Sequence, residues 1–370
     1  MSRILFFIEK FGGGGAEKVL RNLVNHMDQA QFDITVQSVW PYEEGSQLAP
    51  GVKYKSVYLK RNRFTEVLYR IEAATGLLYQ LHVKDNFDIE CAFLEAGPTK
   101  IIAASTNRKS VKIAWVHCDL TKSFLNQESF VKKTSSWYDR FDRIVCVSQN
   151  VKESFDKLYN SRYRSVVLHN VVDDTEIKDK AGFDLPEKIE KNNFTIVSVG
   201  RLMYQKGYDM LLRAFKRLLD DGLQCDLWIA GDGEDRNKLE LYINENNLGE
   251  RVSLLGFLKN PYPVIASADL LVCSSRWEGF STFATEGVIL GKPIITTDCT
   301  GMRELLGDSK FGYIVPIDEE ALYLGLREMI TNENRRIHYS KQAAIRGKEF
   351  EALKLTKQIE TFFLSEVDMK

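Results

Sequence analysis

Residues 274–293 read SSRWEGFSTFATEGVILGKP, between apolar runs of strand character at 270–273 and 293–297. Ser274 and Ser275 end the first run, and Glu278, Gly279 and Phe280 form a turn. Ser281 or Thr282 can then cap a helix over 281–290. Strand, turn, helix and strand is the repeating unit of a parallel sheet covered on both faces, whose strands are near-continuous apolar runs. The same alternation extends outward in both directions. Strands are expected at 194–200, 225–230, 251–255 and 313–315, with a helix over 207–221. In the first half they fall at 3–8, 34–40, 88–94, 111–117, 143–148 and 166–168, with a helix over 16–27. Between the halves, VVDDTEIKDKAGFDLPEKIEKNN at 171–193 is polar, charged and carries Pro186, as a linker should. From about 321 to 367 the pattern is helical throughout.

At 370 residues the chain is too long for one ordinary core. The expected organisation is a first α/β domain over 1–175, a linker over 176–193, a second α/β domain over 194–350, and a helix at 351–370 that crosses back to the first. The fold class is α/β, with two doubly wound, Rossmann-like domains facing a cleft. Hydrophobic residues at 44% and charged ones at 27% exclude a disordered or fibrous chain. A net charge of −1 argues against a nucleic-acid partner. The part through Asp174 leans slightly basic, which permits peripheral contact with an anionic membrane. No apolar run approaches the roughly 20 residues of a membrane span. The run from Ile4 to Ile8 is cut short by Glu9 and Lys10 and lacks a signal-peptide cleavage site. Six dispersed cysteines without a C-x-x-C pair lie mostly in apolar runs, as reduced core residues do. A cytoplasmic protein, peripheral at most on the inner face of the cell membrane, is the expectation.

In doubly wound sheets ligands bind beyond the carboxyl ends of the strands, and the unusual residues fall there. Glycines 12–15, including Gly14 and Gly15, join a strand to a helix, where exposed N–H groups favour an anion. A tight strand-to-helix turn explains them almost as well. Arg201 and Lys206 stand in GRLMYQKG between Gly200 and Gly207, directly after a strand. Two cations so placed suit a diphosphate, most of all as a leaving group; the alternative is a pair of solvated surface cations. The N–H groups at Gly279, Phe280, Ser281 and Thr282 point toward a bound phosphate. Glu286 lies where a carboxylate can accept both ribose hydroxyls, and Glu278 on its turn can reach a sugar. A capping acid and a surface acid would be the bland alternative, but Glu286 stands among Phe283, Ala284, Val288 and Ile289. Glu95 in FLEAG and Asp119 in WVHCD follow first-half strands, positions that suit acceptor hydroxyls. No His/Cys cluster has metal spacing, and no cofactor is expected.

Together these motifs resemble family 4 of the retaining glycosyltransferases, of the two-domain GT-B type. Glu278 and Glu286 match its E-x7-E signature within EGFSTFATEGVILGKPIITTD. GRLMYQKG, GDGE at 231–234, LLGF at 254–257 and GGGGAEKV from Gly12 recur in that family's order. One departure is Thr285-Glu286-Gly287, where the family usually has Glu-Ala; Gly287 should loosen the helix slightly. The resemblance implies a nucleotide-sugar donor, with UDP the expected nucleotide, a hexose or N-acetylhexosamine in transfer and a glycan or lipid-linked glycan acceptor, as in capsule, exopolysaccharide or cell-wall synthesis. It implies that Arg201 and Lys206 hold the diphosphate, Glu286 the ribose, and the backbone near Phe257 and Leu258 the base. Glu278 and His117 would lie near the transferred sugar, with the Gly14–Gly15 loop approaching the phosphate and sugar. Transfer would be metal-independent, the leaving phosphate taking the acceptor proton. A nicotinamide-dependent oxidoreductase and a non-catalytic binding protein share the fold, but residues 12–15 are not G-x-G-x-x-G.

Overall fold

The computed structural model describes residues 1–11, 14–41, 48–123, 126–187 and 189–370. The chain divides into two compact units. The first comprises Met1–Val172 with Ala352–Lys370, the second Asp173–Glu351.

The first unit is built on a seven-stranded parallel sheet. Its strands are β1 (Ser2–Ile8), β2 (Phe32–Ser38), β3 (Lys53–Ser56), β4 (Ile89–Ala92), β5 (Val111–Val116), β6 (Arg143–Cys146) and β7 (Ser165–Val167). Their spatial order is β3-β2-β1-β4-β5-β6-β7. Ile4 through Ile8 are fully buried on both faces, the condition under which a strand is apolar without alternation. Strand β3 was not expected. Its sequence KYKS alternates exposed lysines with half-buried residues at the sheet edge, where charge discourages further pairing. The helix Ala352–Asp368 closes this unit: Phe363 is fully buried against Phe6 and Trp115, and Glu366 pairs with Arg143 at 2.8 Å.

The second unit carries six parallel strands, β8 (Phe194–Val199), β9 (Cys225–Ala230), β10 (Val252–Gly256), β11 (Leu270–Cys273), β12 (Ile294–Thr297) and β13 (Tyr313–Val315). They lie in the order β10-β9-β8-β11-β12-β13. Residues 176–181 of the expected linker are helical, within Asp174–Ala181. Asp173 caps that helix by accepting from the Glu176 N–H at 2.7 Å, Lys178 and Lys180 pair with acids one turn back, and Ile177 is buried. Its charge is the solvated face of an element packed against the helices Tyr262–Ser267 and Thr282–Ile289.

Each sheet reverses its order once, between β1 and β4 in the first unit and between β8 and β11 in the second. At such a point the two following loops diverge and leave a crevice beyond the strand ends, the usual ligand position in this architecture.

Candidate active site

In the second unit the two loops at this reversal are 200–207 after β8 and 274–281 after β11, which contain Gly200, Arg201, Lys206 and Glu278 to Ser281 of the residues singled out above. They are stitched together. The Arg276 N–H donates to the Gln205 carbonyl at 2.7 Å, the Gln205 amide to the Trp277 carbonyl at 2.8 Å, and the Ser274 hydroxyl to the Lys206 carbonyl at 2.8 Å. Arg276 grips Asp209 through two bonds of 2.8 Å and stacks on Tyr204 at 3.9 Å. Gly207 makes the close approach possible. Its φ is +66°, and a Cβ there would lie 2.1 Å from the Ser274 carbonyl oxygen. The glycines of GDGE support the same loop from β9: a Cβ on Gly231 would meet the Gly200 carbonyl oxygen at 2.0 Å, and one on Gly233 the Leu202 carbonyl oxygen at 2.3 Å.

The stitching holds Lys206 against Glu278, with Nζ donating to Oε1 at 2.6 Å. The Ser275 hydroxyl donates to the same oxygen at 2.6 Å. Both side chains are largely buried, at 20% and 8% exposure. Burial pulls the Lys206 pKa down, but the Glu278 carboxylate overrides it and the pKa is raised. The ammonium is therefore charged at any working pH. Arg201, on the same loop, is exposed and makes no ion pair among the described residues. Ser275, Asp209 and Arg276 are site-building residues that the sequence reading passed over. Arg276 and Ser275 stood inside the decisive segment, but nothing in their spacing pointed to their partners.

From Glu278 the chain passes Gly279 and Phe280 into the helix Thr282–Ile289. Ser281 caps it, its hydroxyl accepting from the Ala284 N–H at 3.3 Å. Residues 283–289 of this helix are all buried, including Glu286, to which the Tyr262 hydroxyl donates at 3.4 Å. Gly287 has a packing reason: a Cβ there would come within 2.4 Å of Leu271 Cδ1, so the glycine lets the helix lie close on β11. Phe257 follows β10 and is 70% exposed, with Leu258 half-buried beside it.

In the first unit Gly14 is the N-cap of the helix Gly15–His26, and its carbonyl accepts from the Lys18 N–H at 3.0 Å. Gly12 and Gly13 lie outside the described residues. His117 follows β5 and packs on Phe93, with ring centroids 4.8 Å apart. Burial pushes its pKa down to about 3, and its Nε2 is buried with no hydrogen-bond partner among the described residues. The ring is thus a neutral imidazole. Glu95 Oε1 accepts the backbone N–H groups of His117 and Cys118, the latter at 2.9 Å. Burial raises the Glu95 pKa against those donors. Asp119 Oδ1 accepts from the Thr121 N–H at 2.9 Å, from its hydroxyl at 2.6 Å and from the Ser154 hydroxyl. The structure thus brings Glu95 and His117 together, and engages at least one oxygen of both carboxylates in holding the loop after β5. Among the described residues no group of three His, Cys, Asp or Glu side chains is placed to hold a metal ion.

Two family models match the chain: Glycosyl transferases group 1 over residues 183–346, and Glycosyltransferase Family 4 over residues 13–176. The chain is 28% identical to N-acetylgalactosamine-N,N'-diacetylbacillosaminyl-diphospho-undecaprenol 4-alpha-N-acetylgalactosaminyltransferase of Campylobacter jejuni, over 98% of this chain and 100% of that one. It is 30% identical to an uncharacterized glycosyltransferase of Methanocaldococcus jannaschii, over 70% of this chain and 72% of that one. Among solved structures, Anabaena HepE in complex with UDP and glucose aligns with a TM-score of 0.75 at 18% identity, covering 99% of this chain and 100% of that one.

Proposed function

The chain belongs to the glycosyltransferases and has their GT-B fold, and on that premise we propose that it moves a hexose or N-acetylhexosamine from a UDP-linked donor to a hydroxyl of a lipid-diphosphate-linked glycan, with retained configuration. The observation that carries this reading is the Lys206–Glu278 pair, buried at the sheet reversal between β8 and β11.

Breaking the bond between sugar and diphosphate delivers negative charge to the departing phosphate. A cation preset in a low-dielectric crevice stabilises that charge without reorganising. Lys206 is such a cation, Arg201 supplies a second on the same loop, and the N-terminus of Thr282–Ile289 adds backbone N–H groups. These groups take the part that a divalent metal plays in other transferases. In this reading Glu286 binds the ribose, and the backbone near Phe257 and Leu258 binds the base. Glu278 Oε1 is engaged by Lys206 and Ser275. Glu278 is then an orienting partner, and in the mechanism that the family resemblance implies the leaving phosphate takes the acceptor proton across an oxocarbenium-like transition state. In this reading His117 contacts the transferred sugar as a neutral imidazole.

The choice of UDP rests on the family resemblance, and HepE, whose complex holds UDP and glucose, is consistent with it. The choice of acceptor is supported by the Campylobacter relative, whose name describes transfer to a glycan on diphospho-undecaprenol. Among the described residues no helix is long and apolar enough to cross a membrane. The test is a panel of UDP-, GDP- and ADP-sugars offered to the purified protein, reading nucleotide release and thermal shift. UDP-sugars should give both signals. A response confined to GDP- or ADP-sugars would overturn the donor, and inverted anomeric configuration in the product would overturn the stereochemistry.

A further inference from the structure

The first unit carries an amphipathic helix facing the wrong way for a soluble surface. The helix Arg63–Thr75 is capped by Asn62 and followed, through Gly76 at φ +75°, by the short helix Leu77–His82. Its inner face is pinned: Leu68 and Tyr69 pack on the core cluster of Trp40 and Tyr58, and buried Glu72 accepts from the Tyr58 hydroxyl and bonds His82 Nε2, each at 2.8 Å. With the rotation so fixed, Phe64, Val67 and Ile71 point outward at 76%, 50% and 55% exposure. Leu59, at 86%, precedes them, and Leu77 and Leu81 extend the same exposed apolar series.

The exposed charges of this segment that lack an ion-pair partner among the described residues are basic. Lys60, Arg63 and Arg70 are exposed and make no ion pair among the described residues. Between Leu59 and Lys84 the carboxylates are Glu66, paired with Arg61 at 3.0 Å, and the buried Glu72. An apolar ridge rimmed by unpaired cations matches the boundary between acyl chains and anionic headgroups.

We propose that this face, the ridge of Phe64, Val67 and Ile71 with its rim of Lys60, Arg63 and Arg70, is the surface by which the first unit docks on an anionic lipid bilayer. The choice of a lipid occupant rests on the lipid-linked acceptor proposed above. The ridge itself does not, since it follows from burial and charge alone. A second basic group, Lys132 and Lys133 near Phe130, Trp137 and Tyr138, adds no comparable ridge: Phe130 and Trp137 are half-buried and Tyr138 is buried.

The test is flotation with phosphatidylcholine vesicles, with and without phosphatidylglycerol, at low and high salt, in the absence of donor and acceptor. Binding should require phosphatidylglycerol and weaken with salt. Replacing Lys60, Arg63 and Arg70 together by Ala should weaken it by roughly a hundredfold. Replacing Phe64, Val67 and Ile71 together by Ser should weaken it by more than about tenfold at any salt. These positions are exposed, so both variants should keep wild-type melting temperature and donor turnover with a detergent-dispersed acceptor. No binding to phosphatidylglycerol vesicles at low salt would overturn the proposal, as would undiminished binding by either variant. Self-association of the wild type, abolished by the Ser variant, would instead make a second copy of the chain the occupant. Loss of donor turnover in the wild type bears on the proposed reaction and leaves the vesicle result standing.

Discussion

Lys206 and Glu278 illustrate how far single residues are legible. Each was recognisable as a charge beyond an apolar strand, but 72 positions separate them and only the parallel neighbourhood of β8 and β11 makes them a pair. Because Lys206 is largely buried, Lys206→Ala should lower kcat by about two to three orders of magnitude, the scale of losing one preset charge-stabilising donor. Arg201→Ala should also lower turnover by orders of magnitude. Near-normal kcat in both would remove the diphosphate from this loop. Glu286→Gln should weaken donor binding by about 1.5–3 kcal/mol, as for a hydrogen bond to a charged group; unchanged affinity by calorimetry would make Glu286 a core residue only. His117 has a pH signature of its own. Its folded pKa of about 3 lies below the unfolded value, so the unfolded chain binds the extra proton. The stability it contributes is complete above about pH 6.5 and falls away as pH drops toward 3. Urea midpoints at pH 7 and pH 5 should therefore diverge more for the wild type than for His117→Gln, and equal divergence would refute the buried neutral imidazole.

At the scale of elements, the strands of the second unit matched their apolar runs closely because burial on both faces imposes a continuous signal. The edge strand β3 carries no such signal, since its lysines face solvent. The helix Asp174–Ala181 was hidden for a similar reason, with Ile177 its one buried residue. Glycines divide by what a Cβ would meet. Gly207→Ala combines a left-handed φ with collision against the Ser274 carbonyl, so it should cost about 1–3 kcal/mol for strain alone and displace the loop bearing Lys206. Gly287→Ala meets only the flexible end of Leu271 and improves helix propensity by about 1 kcal/mol, so it should be near neutral. Thermal melts of the two variants check this ranking, and a reversed order would show that the loop contact is not what holds the site together.

For the whole molecule, the last helix belongs with the first residues of the chain. Ala352–Asp368 packs on the first unit, where Glu360 accepts from the Asp28 N–H at 2.6 Å and Phe363 fills the space beside Phe6 and Trp115. Phe363→Ala should cost about 3–5 kcal/mol. Hydrogen exchange should then rise in β1, β4 and β5 before it rises in β8 to β13; a uniform rise would mean that the two units unfold as one. The sequence by itself determined the class of sheet, the family and the identity of most charged residues at the strand ends. Those properties are local, because apolar periodicity, glycine turns and motif order are written in consecutive positions. Tertiary structure alone decided that Lys206 meets Glu278, that Arg276 locks onto Asp209, and that Phe64, Val67 and Ile71 face outward while Glu72 faces in. Pairings across tens of residues, and the rotation of a helix on its support, depend on which strands become neighbours and on what volume remains to be filled between them.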